Sequence, residues 1–385
     1  MVGSSWLEVE KALAERFANG KLTREDLPTP ALLLDLDAFE YNIGKMAQHV
    51  RSHGLALRPH GKSHKCPEIA KALVRAGAVG ICAAKISEAE VFALGGVGGL
   101  LITTAVIGRY KIERAILLAK SRPETIFCVD DEQNIRDLSD AARQGRVRLN
   151  LAIDLRVGRR TGIQPLQPAV ALAELIESLP HVRLAGLQAY AGHVAHVAGW
   201  EERKKASVAA MSPAVETRQL LERKGIGVSF LSAGSTGTYD IDVEIAGVTE
   251  LQPGSFIFMD MVYNNIGGRG GPIFDDFRNS LTVLTTVVSQ PGDGVAIVDG
   301  GFKAFATDQP CTPLPKNRES IYSWGGDEHG ILTYADVART AKVGDTVEFI
   351  VPHCDPSVNL YDRIFCLRGD RVEAVWPIAA RGRSQ

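Results

Sequence analysis

The chain has 385 residues, 45% of them hydrophobic and 23% charged, with a net charge of −2 and six cysteines. That length suits one large domain or two ordinary ones around a sizeable core. The charge balance leaves no basic field to draw the whole protein to nucleic acid or a membrane surface, and no run is long and apolar enough to span a bilayer.

Residues 1–30 contain "WLEVEKALAERFANGKLTRED", a mixed-charge amphipathic helix pattern without the apolar core of a secretory leader. This segment is expected to pack on the C-terminal domain. The cysteines at 66, 82, 128, 311, 354 and 366 form no CxxC pair and read as reduced thiols of a cytoplasmic protein. From residue 31 short apolar runs alternate with helical periods. "ALLLDL" leads to a helix, followed by "LALRP", "AVGICAA", "GLLITT", "TIFCVD", "VRLNLAID", "VRLAGLQAY", "VSFLSAG" and "VTELQPGSF". Between them the spacing predicts helices over Pro67–Ala76, Ser87–Leu94, Arg109–Lys120 and Gly199–Lys224, among others. Runs apolar on both faces suit buried parallel strands, and about eight such units across residues 31–268 fit a (β/α)₈ barrel. A doubly wound open sheet would favour a glycine-rich loop after the first strand, and "DLDAFEYN" has none. Near "NNIGGRGGPIFDD" the rhythm changes to β-runs punctuated by Gly, Asp and Pro, which predicts an all-β domain over residues 269–385.

Three stretches carry chemistry. "RPHGKSHKCPEI" places Lys62 and Lys65 at the end of an expected barrel strand, where catalytic groups sit. A lysine desolvated there has a lowered pKa and suits a Schiff base; the other reading is a pair of surface lysines in a loop. "SAGSTGTYD" offers Gly234, Ser235, Thr236, Gly237 and Thr238, and "QPGSF" offers Gly254 and Ser255. Such clusters cradle phosphate with backbone N–H groups and hydroxyls, or serve as turns. Lysine and loops together suit pyridoxal phosphate, whose aldehyde and phosphate lie at opposite ends. In "VPHCDPSVNLYD", His353 and Asp355 would point to one side of a strand and Cys354 to the other. Imidazole plus carboxylate suits Mn²⁺, Mg²⁺ or Zn²⁺; the other reading is a polar strand end with a locally bonded histidine.

"TPALLLDLDAFEYNI", "RPHGKSHKCPEIA", "GLQAY", "ELQPGSFIFMD", "DEHG" and "PHCDPSVNLYD" follow one another as in the D-threonine aldolase family, which the chain resembles from about residue 27 to the "ARG" near its C-terminus. That family sits among the alanine-racemase-like pyridoxal phosphate enzymes, with D-serine and 3-hydroxyaspartate dehydratases and β-hydroxyaspartate aldolases. The resemblance implies a fold type III enzyme: a cofactor-binding (β/α)₈ barrel, then a β domain, as a homodimer with its active site near the interface. It implies Lys62, not Lys65, as the Schiff-base lysine. His353 and Asp355 would be metal ligands, with Asp327 near the metal. His196 of "AYAGHVAH" would take the proton of the substrate β-hydroxyl, with His193 as a nearby competitor. Arg160 would lie near the cofactor ring and Tyr190 would line the pocket. Dehydratases of the family carry H-x-C, so Asp355 favours the aldolase side. Departures lie at "SAGSTGT", "MDMVYNNIGG" and "IDLRVGRRTG", the last lacking an acidic residue near Arg156; they bear on the substrate and the reaction rather than the cofactor. The implied activity is cleavage of small 3-hydroxy-D-amino acids to glycine and an aldehyde, dependent on pyridoxal phosphate and a divalent metal. The runner-up is dehydration to a 2-oxo acid and ammonia. A non-catalytic cofactor carrier is disfavoured by the H-x-D pair and the β domain.

Overall fold

Nine apolar runs alternate with helices up to residue 251, and eight of them form the barrel. In the computed structural model, which describes residues 5–158 and 160–385, the first run is strand β1 (Ala31–Asp35). The next eight are β2 (Ala56–Leu57), β3 (Cys82–Ala83), β4 (Leu101–Ile102), β5 (Ile126–Val129), β6 (Leu149–Asp154), β7 (Val182–Gln188), β8 (Phe230–Ala233) and β9 (Glu250–Leu251). β2 to β9 make one eight-stranded sheet in the order β2-β9-β8-β7-β6-β5-β4-β3, all neighbours parallel. The ring closes between β2 and β3: Val79 N–H donates to the Leu57 carbonyl at 2.8 Å, Cys82 N–H donates to the Pro59 carbonyl at 2.9 Å, and His60 bridges Cys82.

The helices between strands form for local reasons. Pro67 opens helix Pro67–Arg75, where a missing N–H costs nothing, and Ile69, Ala70 and Leu73 make its buried stripe. Helix Glu132–Gly145 is capped by Asp131, whose side chain accepts the Asn134 N–H at 2.9 Å; Ile135, Leu138 and Ala142 face the core.

β1 is not a barrel strand, contrary to the expectation for "ALLLDL". It pairs antiparallel with β10 (Leu281–Gly292). The later strands are β11 (Val295–Val298), β12 (Leu314–Pro315), β13 (Ser320–Trp324), β14 (Gly330–Tyr334), β15 (Thr346–Ile350), β16 (Arg363–Arg368) and β17 (Arg371–Pro377). β1 pairs parallel with β16 on its other side, inside a mixed nine-stranded sheet. Three successive leucines, Leu32 to Leu34, are buried on both faces of that central position.

By contacts the chain divides into two units. One comprises Met1–Asn42, Ile257–Asn264 and Asp275–Arg381; the other comprises Ile43–Phe256, Asn265–Phe274 and Gly382–Gln385. In the first, Leu22, Leu27, Ala31, Leu33, Leu284, Leu367 and Val372 form a core cluster against which Leu13 and Phe17 of helix Ser5–Ala18 pack.

Candidate active site

The polar residues that follow the barrel strands meet at their C-terminal ends. After β2, the buried Arg58 makes a two-point ion pair with Glu250 of β9, Nε to Oε1 at 3.0 Å and Nη2 to Oε2 at 2.9 Å. Gly61–Ser63 then form a single 3₁₀ turn capped by His60, whose Nδ1 accepts the Lys62 backbone N–H at 3.3 Å. The same ring's Nε2 lies 3.1 Å from Thr103 Oγ1. This turn puts Lys62 on the wall of a cavity of about 420 Å³, shared with Asp154, Arg160, Gln188, Tyr190 and His193.

Environment separates the two lysines of the motif. Lys65 adopts a left-handed backbone, φ 51°, and its Nζ lies 2.9 Å from Glu88 Oε1. Glu88 is fully buried, and its Oε2 accepts the Ala84 N–H at 2.6 Å. Lys65 is held by that carboxylate, whereas Lys62 faces the cavity.

On the opposite wall, burial pushes the Asp154 carboxyl up, against hydrogen bonds from Gln188 Nε2 (3.0 Å) and Thr161 Oγ1 (2.7 Å) and the nearby Arg160 charge. The Arg160 guanidinium sits 5.4 Å from the centroid of the Tyr190 ring, in cation–π range. His193 is exposed on the cavity wall, while His196, also exposed, is outside the residues that line it.

The two glycine-containing loops are linked. Thr236–Thr238 form a 3₁₀ turn that runs into helix Tyr239–Asp242, and Thr236 Oγ1 accepts the Phe256 N–H at 2.9 Å. A Cβ on Gly254 would lie 3.0 Å from the His60 carbonyl oxygen and 3.2 Å from Ser63 Oγ, so this glycine lets its loop lie against the lysine turn. A Cβ on Gly237 would run into the Ala195 carbonyl oxygen. Thr238 serves the loop itself: Oγ1 accepts the Ser235 N–H at 3.1 Å and donates to Asp242 Oδ2 at 2.7 Å. Asp242, which also accepts from Ser207 Oγ at 2.5 Å, is pushed up to about 6 by burial. A cavity-facing lysine, and two linked loops that leave little room for a Cβ at Gly237 and Gly254 and that include the start of a helical turn, fit pyridoxal phosphate.

The metal motif lies on a different element from the one its spacing suggests. β15 ends at Ile350, and His353 is the extended N-cap, φ −140°, of the short helix Cys354–Val358. Pro356 is the third residue of that helix, inside the first turn, where its missing N–H costs nothing. Asp355 therefore sits one residue past the helix start, and strand alternation does not apply. Nor does Cys354 stand apart: it is fully buried, and Sγ lies 3.4 Å from Asp355 Oδ1. The Cys354 N–H donates to Asp260 Oδ2 at 2.8 Å, and Asp260 Oδ1 accepts the Tyr263 N–H at 2.9 Å. Burial pushes the Asp260 carboxyl up, against the neighbouring His353 ring and these bonds. His353 Nδ1 lies 2.8 Å from Asp308 Oδ2. Asp327 is exposed, 3.9 Å from Lys303 Nζ. Among the described residues no cluster of three or more His, Cys, Asp or Glu could hold a metal. One imidazole and one carboxylate fit an open divalent site completed by water and substrate, not a closed structural one.

Asp154, Gln188 and His60 carry a signal that could have been read: each is a polar residue at the end of an apolar barrel run, the position barrel enzymes use. Asp308 and Glu88 carry none.

Residues 34–262 match the family model "Alanine racemase, N-terminal domain", and residues 280–367 match a serine dehydratase domain. A 3-hydroxy-D-aspartate aldolase of Paracoccus denitrificans (strain Pd 1222) is 36% identical over 367 residues, 94% of each chain. A D-threonine aldolase of Arthrobacter sp. is 37% identical over 360 residues, 93% of each chain. The chain belongs to the D-threonine aldolase family of alanine-racemase-like proteins. The crystal structure of D-threonine aldolase from Filomicrobium marinum matches this family member with a TM-score of 0.90 at 36% identity, covering 94% of this chain and 98% of that one. Its fold is that of the fold type III pyridoxal phosphate enzymes.

Proposed function

We propose that the protein is an aldolase that cleaves 3-hydroxy-D-amino acids to glycine and an aldehyde, with pyridoxal phosphate and a divalent ion as cofactors. The observation that carries this reading is Lys62 on the cavity wall, its neighbour Lys65 being held by Glu88. Its aldolase relatives, at 36% and 37% identity, support the reaction class.

When bound, pyridoxal phosphate supplies an electron sink for charge left at Cα, and the ion supplies Lewis-acid stabilisation of the β-oxygen. Lys62 Nζ would hold the cofactor's aldehyde end. Gly234 to Thr238, with Gly254 and Ser255, would surround its phosphate, and Arg160 and Tyr190 would flank its ring. His353 and Asp355 would hold the ion, with Mn²⁺ favoured over Mg²⁺ or Zn²⁺. An imidazole accepts the β-hydroxyl proton, directly or through water. By resemblance that ring is His196; His193 is the second candidate because it lines the cavity. The resemblance also supports a homodimer, which light scattering can check, and the six free cysteines support a cytoplasmic location.

A dehydratase is the second reading, favoured by the serine dehydratase match over residues 280–367. Incubation with D-threonine and D-3-hydroxyaspartate, with and without EDTA, tests both. Glycine plus aldehyde, lost on chelation, is the expected result. A 2-oxo acid plus ammonia would establish the dehydratase instead, and no turnover of either substrate would reject both.

A further inference from the structure

We propose that Asp308 is a positioning residue for the divalent ion: its carboxylate holds the His353 ring through Nδ1–H and leaves Nε2 as the nitrogen that binds metal. This rests on the reading of His353 and Asp355 as metal ligands. A neutral imidazole donates from one nitrogen and accepts at the other. Asp308 Oδ2, 2.8 Å from Nδ1, is an acceptor, so the proton belongs on Nδ1. A lone pair is then free at Nε2, and an anionic partner behind the ring raises the basicity of that nitrogen.

The contact is built into the fold. Two residues before Asp308, the Ala306 N–H donates to the buried Ser357 Oγ at 3.1 Å, and the Ser357 N–H reaches the His353 carbonyl at 3.4 Å. The loop carrying Asp308 is thus tied to the helix that carries Asp355. Gln309 Nε2 donates to the same Asp308 oxygen at 3.2 Å and braces the carboxylate from the solvent side. The His353 side chain is 18% exposed and that of Asp308 41%, so the imidazole rather than the carboxylate is the better buried of the pair.

The test uses the full chain loaded with pyridoxal phosphate, comparing wild type with Asp308→Ala, Asp308→Asn and His353→Ala. Mn²⁺ dissociation constants come from calorimetry or EPR counting of free ion. Cu²⁺ serves as a probe whose electron-spin-echo modulation reports the remote imidazole nitrogen. Asp308→Ala should weaken Mn²⁺ binding about 10- to 100-fold, the usual effect of removing such a partner, and shift the remote-nitrogen frequencies. Asp308→Asn, which keeps an acceptor for Nδ1–H, should fall between wild type and Asp308→Ala. If His353→Ala loses the metal while Asp308→Ala binds within about twofold of wild type, the ligand reading stands and the proposal is overturned. Unchanged remote-nitrogen frequencies in Asp308→Ala would also overturn it, because Asp308 would then not be bonded to that nitrogen. If His353→Ala binds Mn²⁺ as wild type does, the ligand reading itself fails, and the proposal with it.

Discussion

Substituting each lysine of "GKSHK" in turn should produce opposite phenotypes. Lys65 Nζ meets Glu88 Oε1 at 2.9 Å with side-chain exposures of 13% and 0%. Lys65→Met leaves a fully buried carboxylate that still accepts the Ala84 N–H at 2.6 Å but has lost its cation. Breaking a buried pair from one side costs about 3–5 kcal/mol, which raises the unfolded fraction roughly 10²- to 10⁴-fold. Lys65→Met/Glu88→Gln removes both charges and should recover most of that loss, because replacing a buried pair as a unit is often close to neutral. Lys62→Ala removes a half-buried side chain from a cavity wall and should stay within about 1 kcal/mol of wild type. It should nevertheless lose the yellow cofactor colour and all turnover. Urea denaturation gives the stabilities; borohydride reduction followed by peptide mapping gives the site of the pyridoxyl adduct, expected on Lys62. Equal destabilisation by Lys65→Met and Lys62→Ala, or an adduct on Lys65, would refute the assignment and the burial reasoning behind it.

Gly237→Ala forces a Cβ against the Ala195 carbonyl; the loop must shift, costing about 1–3 kcal/mol and raising the pyridoxal phosphate Kd about tenfold, as for one lost charge-assisted hydrogen bond. The control Gly44→Ala, with nothing within 4 Å of the new Cβ, should leave cofactor affinity unchanged; if both variants bind the cofactor alike, the cradle is wrong. Asp242 titrates at about 6 in the fold against an ordinary 3.8, so between those values the folded state binds more protons than the unfolded chain. Stability should therefore fall as pH rises through that window, by about 3 kcal/mol in all, and level off above it. Urea series from pH 4 to 7 should give a shallower slope for Asp242→Asn, and identical slopes would remove Asp242 as the cause. Asp355→Ala should match EDTA-treated wild type, inactive with cofactor absorbance intact, and Mn²⁺ should restore only the latter; full activity of Asp355→Ala after chelation would sink the metal reading.

Much of the barrel is legible from periodicity, because β2 to β7 are short apolar runs, each followed in the chain by a helix with a buried stripe. β1 shows where that signal ends. "ALLLDL" followed by a helix looks the same locally whether its partners are barrel strands or β10 and β16. What decides is pairing with Leu281 to Leu284 and Phe365 to Leu367, far along the chain. The strand placement of His353 and Asp355 failed for a different reason. A period of two holds only on a strand, and the sequence already contained the counter-signal in Pro356, which favours the opening turn of a helix. Read that way, Asp355 belongs to a helix start, and Cys354 becomes its packed neighbour rather than its opposite.

Each chemical cluster also contains a residue that the fold has claimed, and this no motif can show. Lys65 is taken by Glu88, which makes Lys62 the lysine facing the cavity. Thr238 is taken by Asp242, which leaves phosphate binding to be argued for the backbone of the loop it shapes. Nδ1 of His353 is taken by Asp308, which directs attention to Nε2. In all three cases a carboxylate is the claiming group, and all three carboxylates come from outside the motif they sort. Sequence spacing can bring the right residue types together, but which of them the fold has enlisted for its own structure is decided by neighbours from elsewhere in the chain.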